Sequence, residues 1–217
     1  MKKIIILFTI VLLAPRFAQA QGTITYLSNI GQPSTGSLSV GSDSWQAALF
    51  KTGNNVGGYT LDSIQLGLTG ATGEPSGFTV AIYSAIIFAG ATPGSSLGAL
   101  DGSLSPMTGG IYAYAPDSTL TLSPSTDYFI VLTSATTVAN GAYEWSLAGT
   151  YSYNPSENWG AGTVWNSTDG SHWSGNGYPN PLFAISATPV PEPGVLSLLG
   201  LGGAGFLWRR RQAKTGR

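Results

Sequence analysis

Few side chains in this sequence could perform catalysis or hold a cofactor. His172 is the only histidine and cysteine is absent, which excludes thiolate catalysis and zinc sites built from imidazole and thiolate ligands. No Gly-x-Ser-x-Gly turn precedes a helical pattern, as the nucleophile of an α/β-hydrolase would require. His172 lies in a stretch rich in glycine, serine and asparagine, where we expect an exposed loop histidine. The sequence therefore predicts no metal site and no cofactor.

Two carboxylates are candidates for glycoside hydrolysis, which needs a pair of carboxyl groups about 5 to 9.5 Å apart. Glu144 and Glu157 each lie close to a tryptophan in the sequence. Glu144 falls on an expected strand, where an acid on the solvent face is ordinary, and Glu157 falls in a loop sequence. We therefore expect a protein that is not an enzyme, with a glycoside hydrolase as the less favoured alternative.

Aromatic residues are concentrated near the end of the body. Eight lie within thirty-six positions: Tyr143, Trp145, Tyr151, Tyr153, Trp159, Trp165, Trp173 and Tyr178. Flat rings beside amide and hydroxyl side chains are typical of sugar binding. Large rings are also usually mostly buried, and we favour packing, with Trp145 in the core. Trp159, Trp165 and Trp173 are the candidate glycan contacts.

Oxygen ligands for calcium could come from Asn166, Ser167, Thr168 and Asp169, but the sequence here lacks the spaced acids and the closing glutamate of an EF-hand loop. Adjacent Asp169 and Gly170 favour a plain hairpin turn. Asn166-Ser167-Thr168 matches the glycosylation sequon, a short pattern that often arises by chance.

The charge of the body excludes one class of partner. Between residues 21 and 189 there are nine Asp and Glu residues and a single strong base, Lys51, which gives a formal charge of −8. A surface of this sign repels phosphate backbones, so we expect no nucleic-acid partner.

Strand patterns must position these residues. Alternating β-branched and aromatic residues between Gly, Pro and Asn turns predict strands at 24–29, 45–51, 60–69, 78–84, 119–123, 128–133, 143–148 and 182–188. The alternation in 60–69 places Asp62 on the core face with Ile64 and leaves Leu61 outside. The continuously apolar run 128–132 indicates a strand covered on both sides. The pattern predicts an all-β fold, an antiparallel β-sandwich resembling a jelly roll, over residues 21–189.

The N-terminus has the three parts of a signal peptide. Lys2 and Lys3 precede an apolar run at 4–14, and Ala18 and Ala20 provide the small residues that signal peptidase requires. We expect cleavage after Ala20, which defines residues 1–20 as the leader. The alternative is an N-terminal membrane helix, but the run is shorter than the ~20 residues that span a bilayer.

The C-terminus has the three parts of a stop-transfer element. Val190-Pro191-Glu192-Pro193 comes first, the apolar segment 194–208 follows, and Trp208 precedes Arg209, Arg210 and Arg211 in the basic tail 209–217. Cations on the cytoplasmic side and an interfacial tryptophan would place the body outside the inner membrane. Gly200, Gly202, Gly203 and Gly205 weaken the segment as a helix, which suits a temporary anchor. A docked amphipathic C-terminal helix is the alternative, but the segment has no polar face.

This arrangement resembles the PEP-CTERM sorting signal. The resemblance implies recognition and cleavage near 190–193 by an exosortase-like membrane protease, after which the body reaches the cell surface or the extracellular medium of a Gram-negative bacterium that makes exopolysaccharide. It assigns no catalytic activity to this chain.

A second resemblance concerns the body. Ser28-Asn29-Ile30-Gly31-Gln32, the sequence 48–53 and Gly58-Tyr59-Thr60-Leu61-Asp62-Ser63-Ile64 are similar to the start of choice-of-anchor domains. The segments 80–83, 93–98 and 122–128 fit the same pattern. The family implies a β architecture of exported bacterial proteins and supplies no site residues.

These observations predict an exported protein, transiently anchored in the membrane, with a structural or adhesive role and exopolysaccharide as a candidate partner. The alternative from another class is a carbohydrate-binding module that uses the region from Trp159 to Trp173.

Overall fold

The computed structural model describes residues 22–88, 90–150, 153–175, 177 and 180–191. The leader expected at 1–20, with Ala18 and Ala20, lies outside the described residues. The apolar segment 194–208 and the basic tail 209–217 also lie outside them.

The described residues form β structure without any helix, so the all-β prediction is confirmed. The strands are β1 (Ile24–Ser28), β2 (Ser34–Val40), β3 (Trp45–Lys51), β4 (Tyr59–Gly73), β5 (Thr79–Ile87), β6 (Ala91–Asp101), β7 (Thr108–Pro116), β8 (Thr121–Leu122), β9 (Asp127–Thr133), β10 (Gly141–Ala148), β11 (Gly160–Ser167), β12 (Ser174–Gly175), β13 (Asn180–Pro181) and β14 (Phe183–Pro189).

All strand pairs in the described residues are antiparallel, and the strands form one hydrogen-bonded network. Its main order is β1-β14-β4-β7-β6-β5-β9-β3-β11-β12. Strand β10 pairs with β4 and carries β2 and β13, while the short β8 also pairs with β4. Two groups of strands are joined in this order: β1, β14, β4 and β7 form the β4 side, and β6, β5, β9, β3, β11 and β12 form the β9 side. They are linked by the pairing of β6 with β7 at only two positions, Leu100 with Pro116 and Asp101 with Ala115.

The main hydrophobic core contains residues from both sides of that link. Ile64 and Leu66 of β4 belong to the same buried cluster as Ile82 of β5 and Ile130 of β9. A smaller cluster lies on the other face of β3 and β9 and includes Phe129. Residues 128–132 are all buried, as their uninterrupted apolar sequence predicts.

A β-bulge in β4 changes which residues face the core. Ser63 lies opposite Ser186 and Leu61 lies opposite Ala187, so Asp62 is the extra residue. The prediction that Asp62 faces the core and Leu61 faces away is therefore wrong. Leu61 is 3% exposed, and the carboxylate of Asp62 is half-buried and accepts a hydrogen bond from the Thr188 hydroxyl at 2.8 Å. An extra residue shifts the two-residue alternation by one position.

Sequence patterns missed β2, β6, β7 and β11, because these strands are rich in glycine and serine, which have low β propensity. Pro93 and Gly94 are residue types typical of a turn, but they lie within β6. Strand β6 pairs along its length with β5 and meets β7 only at its last two residues. Its first part is therefore an edge, where proline is tolerated because the missing N–H leaves no ladder bond unmade.

Several loops gather at one end of the molecule. Lys51 of β3 lies opposite Asp127 of β9, and Tyr59 at the start of β4 lies opposite both Leu122 and Pro189. The loop from β3 to β4 joins these positions. This end, the β3–β4 loop end, is where the last strand finishes.

Candidate functional site

The described part of the sorting sequence begins without a linker after the last strand. Strand β14 ends at Pro189, which is buried and lies opposite Tyr59. Val190 follows directly and is half-buried, and Pro191 is exposed. The expected recognition sequence thus starts at the surface of the folded body.

A turn in the β3–β4 loop holds Val190 through its backbone. The Val190 N–H donates to the Gly58 carbonyl at 3.0 Å, and the Asn55 side-chain amide donates to the Val190 carbonyl at 3.0 Å. The same amide group also donates to the Gly58 carbonyl, and the Asn55 N–H donates to the Tyr59 hydroxyl at 3.1 Å. The turn is therefore bonded both to the core residue Tyr59 and to Val190.

Glycines let the two segments approach closely. A Cβ atom at Gly57 would collide with the Val190 carbonyl oxygen, and one at Gly58 would meet the Leu122 carbonyl oxygen at 2.5 Å. Gly58 also has φ of +75°, a conformation that favours glycine. The sequence predicts only a turn at 54–58. The contact of this turn with Val190 cannot be recognised from a local sequence pattern, because the two segments are far apart along the chain.

The remaining residues of the predicted sorting and anchoring sites lie outside the described residues. These are Glu192, Pro193, Trp208, Arg209, Arg210 and Arg211. The part of the chain that the structure describes contains no helix long and apolar enough to cross a bilayer.

The structure separates the three candidate glycan contacts. Trp159 is 3% exposed and belongs to the main core. Its ring stacks on Tyr26, with centroids 4.9 Å apart and planes at 12°, and meets Tyr59 edge-on at 4.9 Å. Burial raises the pKa of Tyr26 to about 12, with a smaller contribution from the negative charge of Glu157. Trp159 has no surface to offer a sugar, so its grouping with the other two tryptophans is corrected.

Trp165 and Trp173 lie elsewhere, on the outer face of β3 and β9. Both are half-buried and pack on the smaller cluster, Ala47, Phe129 and Val131, beside Trp45. The loop after β11 covers part of this face, since a Cβ at Gly170 would meet the Trp45 ring at 2.9 Å. We call Trp45, Trp165 and Trp173 the outer tryptophan face. Trp45 lies too far from the other two in sequence to have been grouped with them.

The hairpin between β11 and β12 agrees with the plain turn that the sequence predicts. Trp165 lies opposite Gly175. One carboxylate oxygen of Asp169 accepts hydrogen bonds at 2.8 Å from the N–H groups of Ser171 and His172, and the other lies 2.6 Å from His172 Nδ1. His172 is exposed, as expected.

Hydrogen bonds to Asp169 shift both pKa values of the pair. Bonds from the His172 N–H and imidazole hold the pKa of Asp169 well below its usual range. The Asp169 carboxylate in turn raises the pKa of His172 through its hydrogen bond and its charge. The oxygens of Asp169 are therefore occupied within the turn. In the described residues there is no group of three or more His, Cys, Asp or Glu that could hold a metal ion.

The two candidate catalytic carboxylates occupy different environments. Glu144 of β10 accepts hydrogen bonds from Ser37 at 2.6 Å and from Ser39 at 2.8 Å, both on β2. Glu157 is exposed in a turn with φ of +51°. The serine of the one Gly-x-Ser-x-Gly sequence in the described residues, Ser96 at 94–98, lies within β6. It is therefore not at the turn before a helix that carries the nucleophile of an α/β-hydrolase. No contact links Glu144 with Glu157 among the described residues, and the absence of enzymatic activity stays a prediction.

Comparison with known proteins finds one match. Residues 189–211 match the family model of the PEP-CTERM protein-sorting motif. No curated protein and no solved structure matches the chain. The motif indicates exosortase-dependent sorting of a surface protein. It implies that the chain is exported and anchored in the membrane, and that exosortase, which is a membrane protein, then cleaves it. The similarity of the body to choice-of-anchor domains stays a prediction.

Proposed function

Since residues 189–211 carry a PEP-CTERM sorting motif, we propose that this chain is an exported matrix or surface protein with a structural or adhesive role linked to exopolysaccharide. Signal peptidase removes residues 1–20. The segment 194–208 then anchors the body on the periplasmic side of the inner membrane until an exosortase-like protease cleaves near 190–193. Trp208 and the three arginines that follow it hold the C-terminus in the cytoplasm.

We also propose that the body is a β-sandwich of the jelly-roll type. The support is the main core, in which Ile64 of β4 and Ile130 of β9 belong to one buried cluster, although only two residue pairs join the strand groups through β6 and β7. Two sheet portions that bury a common core are typical of this architecture.

The observation that carries the function is the position of the motif. The motif starts at the end of β14, and the β3–β4 loop binds Val190 at this point. Cleavage near 190–193 would therefore release a body that ends at its last strand. The acidic body carries one strong base, Lys51, and such a surface stays soluble among other negatively charged matrix components.

The test is a Glu192→Ala variant of the full chain, produced in a Gram-negative host that has an exosortase. We expect the unaltered chain to lose its tail and leave the membrane, and the variant to remain in the membrane fraction with its tail intact. Glu74→Ala, which removes an exposed glutamate elsewhere, should be processed normally. Full-length chain in the cytosol that retains its first twenty residues would contradict the proposal.

A second candidate function, carbohydrate binding, is favoured by the outer tryptophan face. Three partly exposed indoles on one surface could stack on the apolar faces of sugars. On a glycan array, Trp173→Ala should abolish binding by the full chain, whereas substitution of its exposed neighbour, His172→Ala, should preserve it. Absence of binding across a broad array would eliminate this candidate and leave the matrix role in place.

A further inference from the structure

The hairpin between β5 and β6 ends in an exposed apolar group. Ile86, Ile87 and Phe88 are 54%, 66% and 86% exposed, and we call them the apolar tip. No charged residue occurs between Glu74 and Asp101. Three adjacent large apolar side chains in water are unfavourable and indicate a surface that is covered during function.

The apolar tip lies at the β3–β4 loop end. Ser84 of β5 lies opposite Tyr128 of β9, next to the pair of Lys51 and Asp127 that marks this end. Strand β5 continues for three more residues to Ile87. At about 3.3 Å per residue, the β5–β6 hairpin therefore extends about 10 Å beyond the last pairing of β5 with β9.

The tail leaves the body at the same end. The β3–β4 loop holds Val190 through Gly58 and Asn55, and the residues from 192 to 217, which include the membrane anchor, continue from there. Val56 in the same loop is 71% exposed. The tail exit, this exposed valine and the apolar tip thus share one end of the molecule.

We propose that the apolar tip enters the outer interface of the lipid bilayer that holds the tail. This inference rests on the membrane anchoring in the proposed function. Only three residues, 191 to 193, separate Val190 from the apolar segment that starts at 194, so the body cannot move far from the lipid. A projection of about 10 Å matches the depth of 5–10 Å at which apolar groups reside in the headgroup and acyl boundary.

Charge at this end determines which lipid surface fits. Lys51, the only strong base of the body, is exposed here, and it can approach phosphate groups. Asp127, which lies opposite Lys51, and Glu157, whose carbonyl is next to Gly53, are at the same end. The contact is therefore driven by apolar burial, and a zwitterionic surface should be preferred to a strongly anionic one, which repels a body of this charge.

The absence of cysteine makes a labelling test clean. The full chain with Phe88→Cys carries an environment-sensitive fluorophore and is reconstituted into phosphatidylcholine vesicles that contain a headgroup-linked quencher. Leu104→Cys is the matched control. Leu104 is 68% exposed, but its carbonyl accepts a hydrogen bond from the N–H of Phe78, which precedes the opposite end of β5. We expect several-fold stronger quenching at Phe88→Cys, and loss of that difference when Ile86 and Ile87 are replaced by serine.

The outcomes separate this inference from the function on which it rests. Chain that floats with the vesicles but shows equal quenching at both labels overturns the tip contact alone. Chain that fails to float overturns the membrane anchor, and the tip contact with it. Crosslinking of Phe88→Cys between two copies in detergent, without lipid quenching, overturns the inference in favour of self-association.

Discussion

The side-chain amide of Asn55 donates a hydrogen bond of 3.0 Å to the carbonyl oxygen of Val190, although the two residues are 135 positions apart in the sequence. The N–H of Val190 is bound as well, to the carbonyl of Gly58. Both backbone groups of the first residue of the sorting sequence are therefore engaged by one turn. A protease that requires an extended substrate must first open this junction, so the strength of the turn should influence processing.

Asn55→Ala should loosen the junction. The variant loses the bond to Val190, and a hydrogen bond contributes about 1 kcal/mol net, which corresponds to roughly fivefold in an opening equilibrium. Hydrogen exchange at the Val190 amide should accelerate by about that factor, and cleavage of the tail in an exosortase-containing host should become faster. Asn54→Ala, an exposed neighbour, is the control and should leave both rates unchanged.

Gly57→Ala tests the close approach at the same place. The new Cβ collides with the Val190 carbonyl oxygen, which is backbone and cannot turn away. Overpacking of this kind typically costs about 1–3 kcal/mol, so we expect the midpoint of chemical denaturation to fall. At Gly98 a Cβ would meet no atom within 4 Å, so Gly98→Ala should change the unfolding free energy by less than about 0.5 kcal/mol. Equal effects at the two glycines would contradict the crowded junction.

Residue types and alternation were sufficient to predict the all-β fold and the buried strand at 128–132, because those features are local. Strand faces depend on pairing, which the sequence does not display. In β4 the alternation alone assigned Leu61 to the outside, but the bulge at Asp62 reverses the faces on that side. Aromatic clustering likewise grouped Trp159 with Trp165, because sequence proximity does not distinguish the core from the outer face of β3 and β9.

The position of the sorting sequence can be predicted from its own residues, since its proline, acid and apolar segments are contiguous. The attachment of this sequence to the body cannot be predicted in the same way, because Asn55 and Gly57 are ordinary turn residues. The same holds for the apolar tip. The run from Ile86 to Phe88 is visible in the sequence, but its place beside the tail exit follows only from the pairing of Ser84 with Tyr128.

Tyr26→Phe should leave stability at neutral pH unchanged or slightly higher. The Tyr26 hydroxyl is buried and has no hydrogen-bond partner among the described residues, so removal of the oxygen removes a desolvated group without breaking a bond. The matched variant Tyr59→Phe should be destabilising by about 1 kcal/mol, because the Tyr59 hydroxyl accepts the bond from the Asn55 N–H.

Alkaline titration gives Tyr26 a second test. Its pKa is raised from 10.0 to about 12 by burial, so the folded state retains the proton more tightly than the unfolded state. The stability that this provides is fully present below pH 10 and is lost as the pH rises toward about 12. Tyr26→Phe should therefore show a smaller fall in denaturation midpoint over that interval than the unaltered chain. Identical alkaline profiles would show that Tyr26 ionises normally.

The turn after β11 should titrate as a coupled Asp169 and His172 pair. The carboxylate raises the pKa of His172 above its ordinary value of 6.5, so protonated imidazole stabilises the turn. This contribution is fully present below pH 6.5 and is lost as the pH rises through the higher folded pKa. Titration of the imidazole by NMR measures the pKa directly. Asp169→Asn keeps an oxygen for the backbone N–H groups but removes the charge, so it should return the pKa to its ordinary range. A His172 pKa that does not change in this variant would contradict the ion pair.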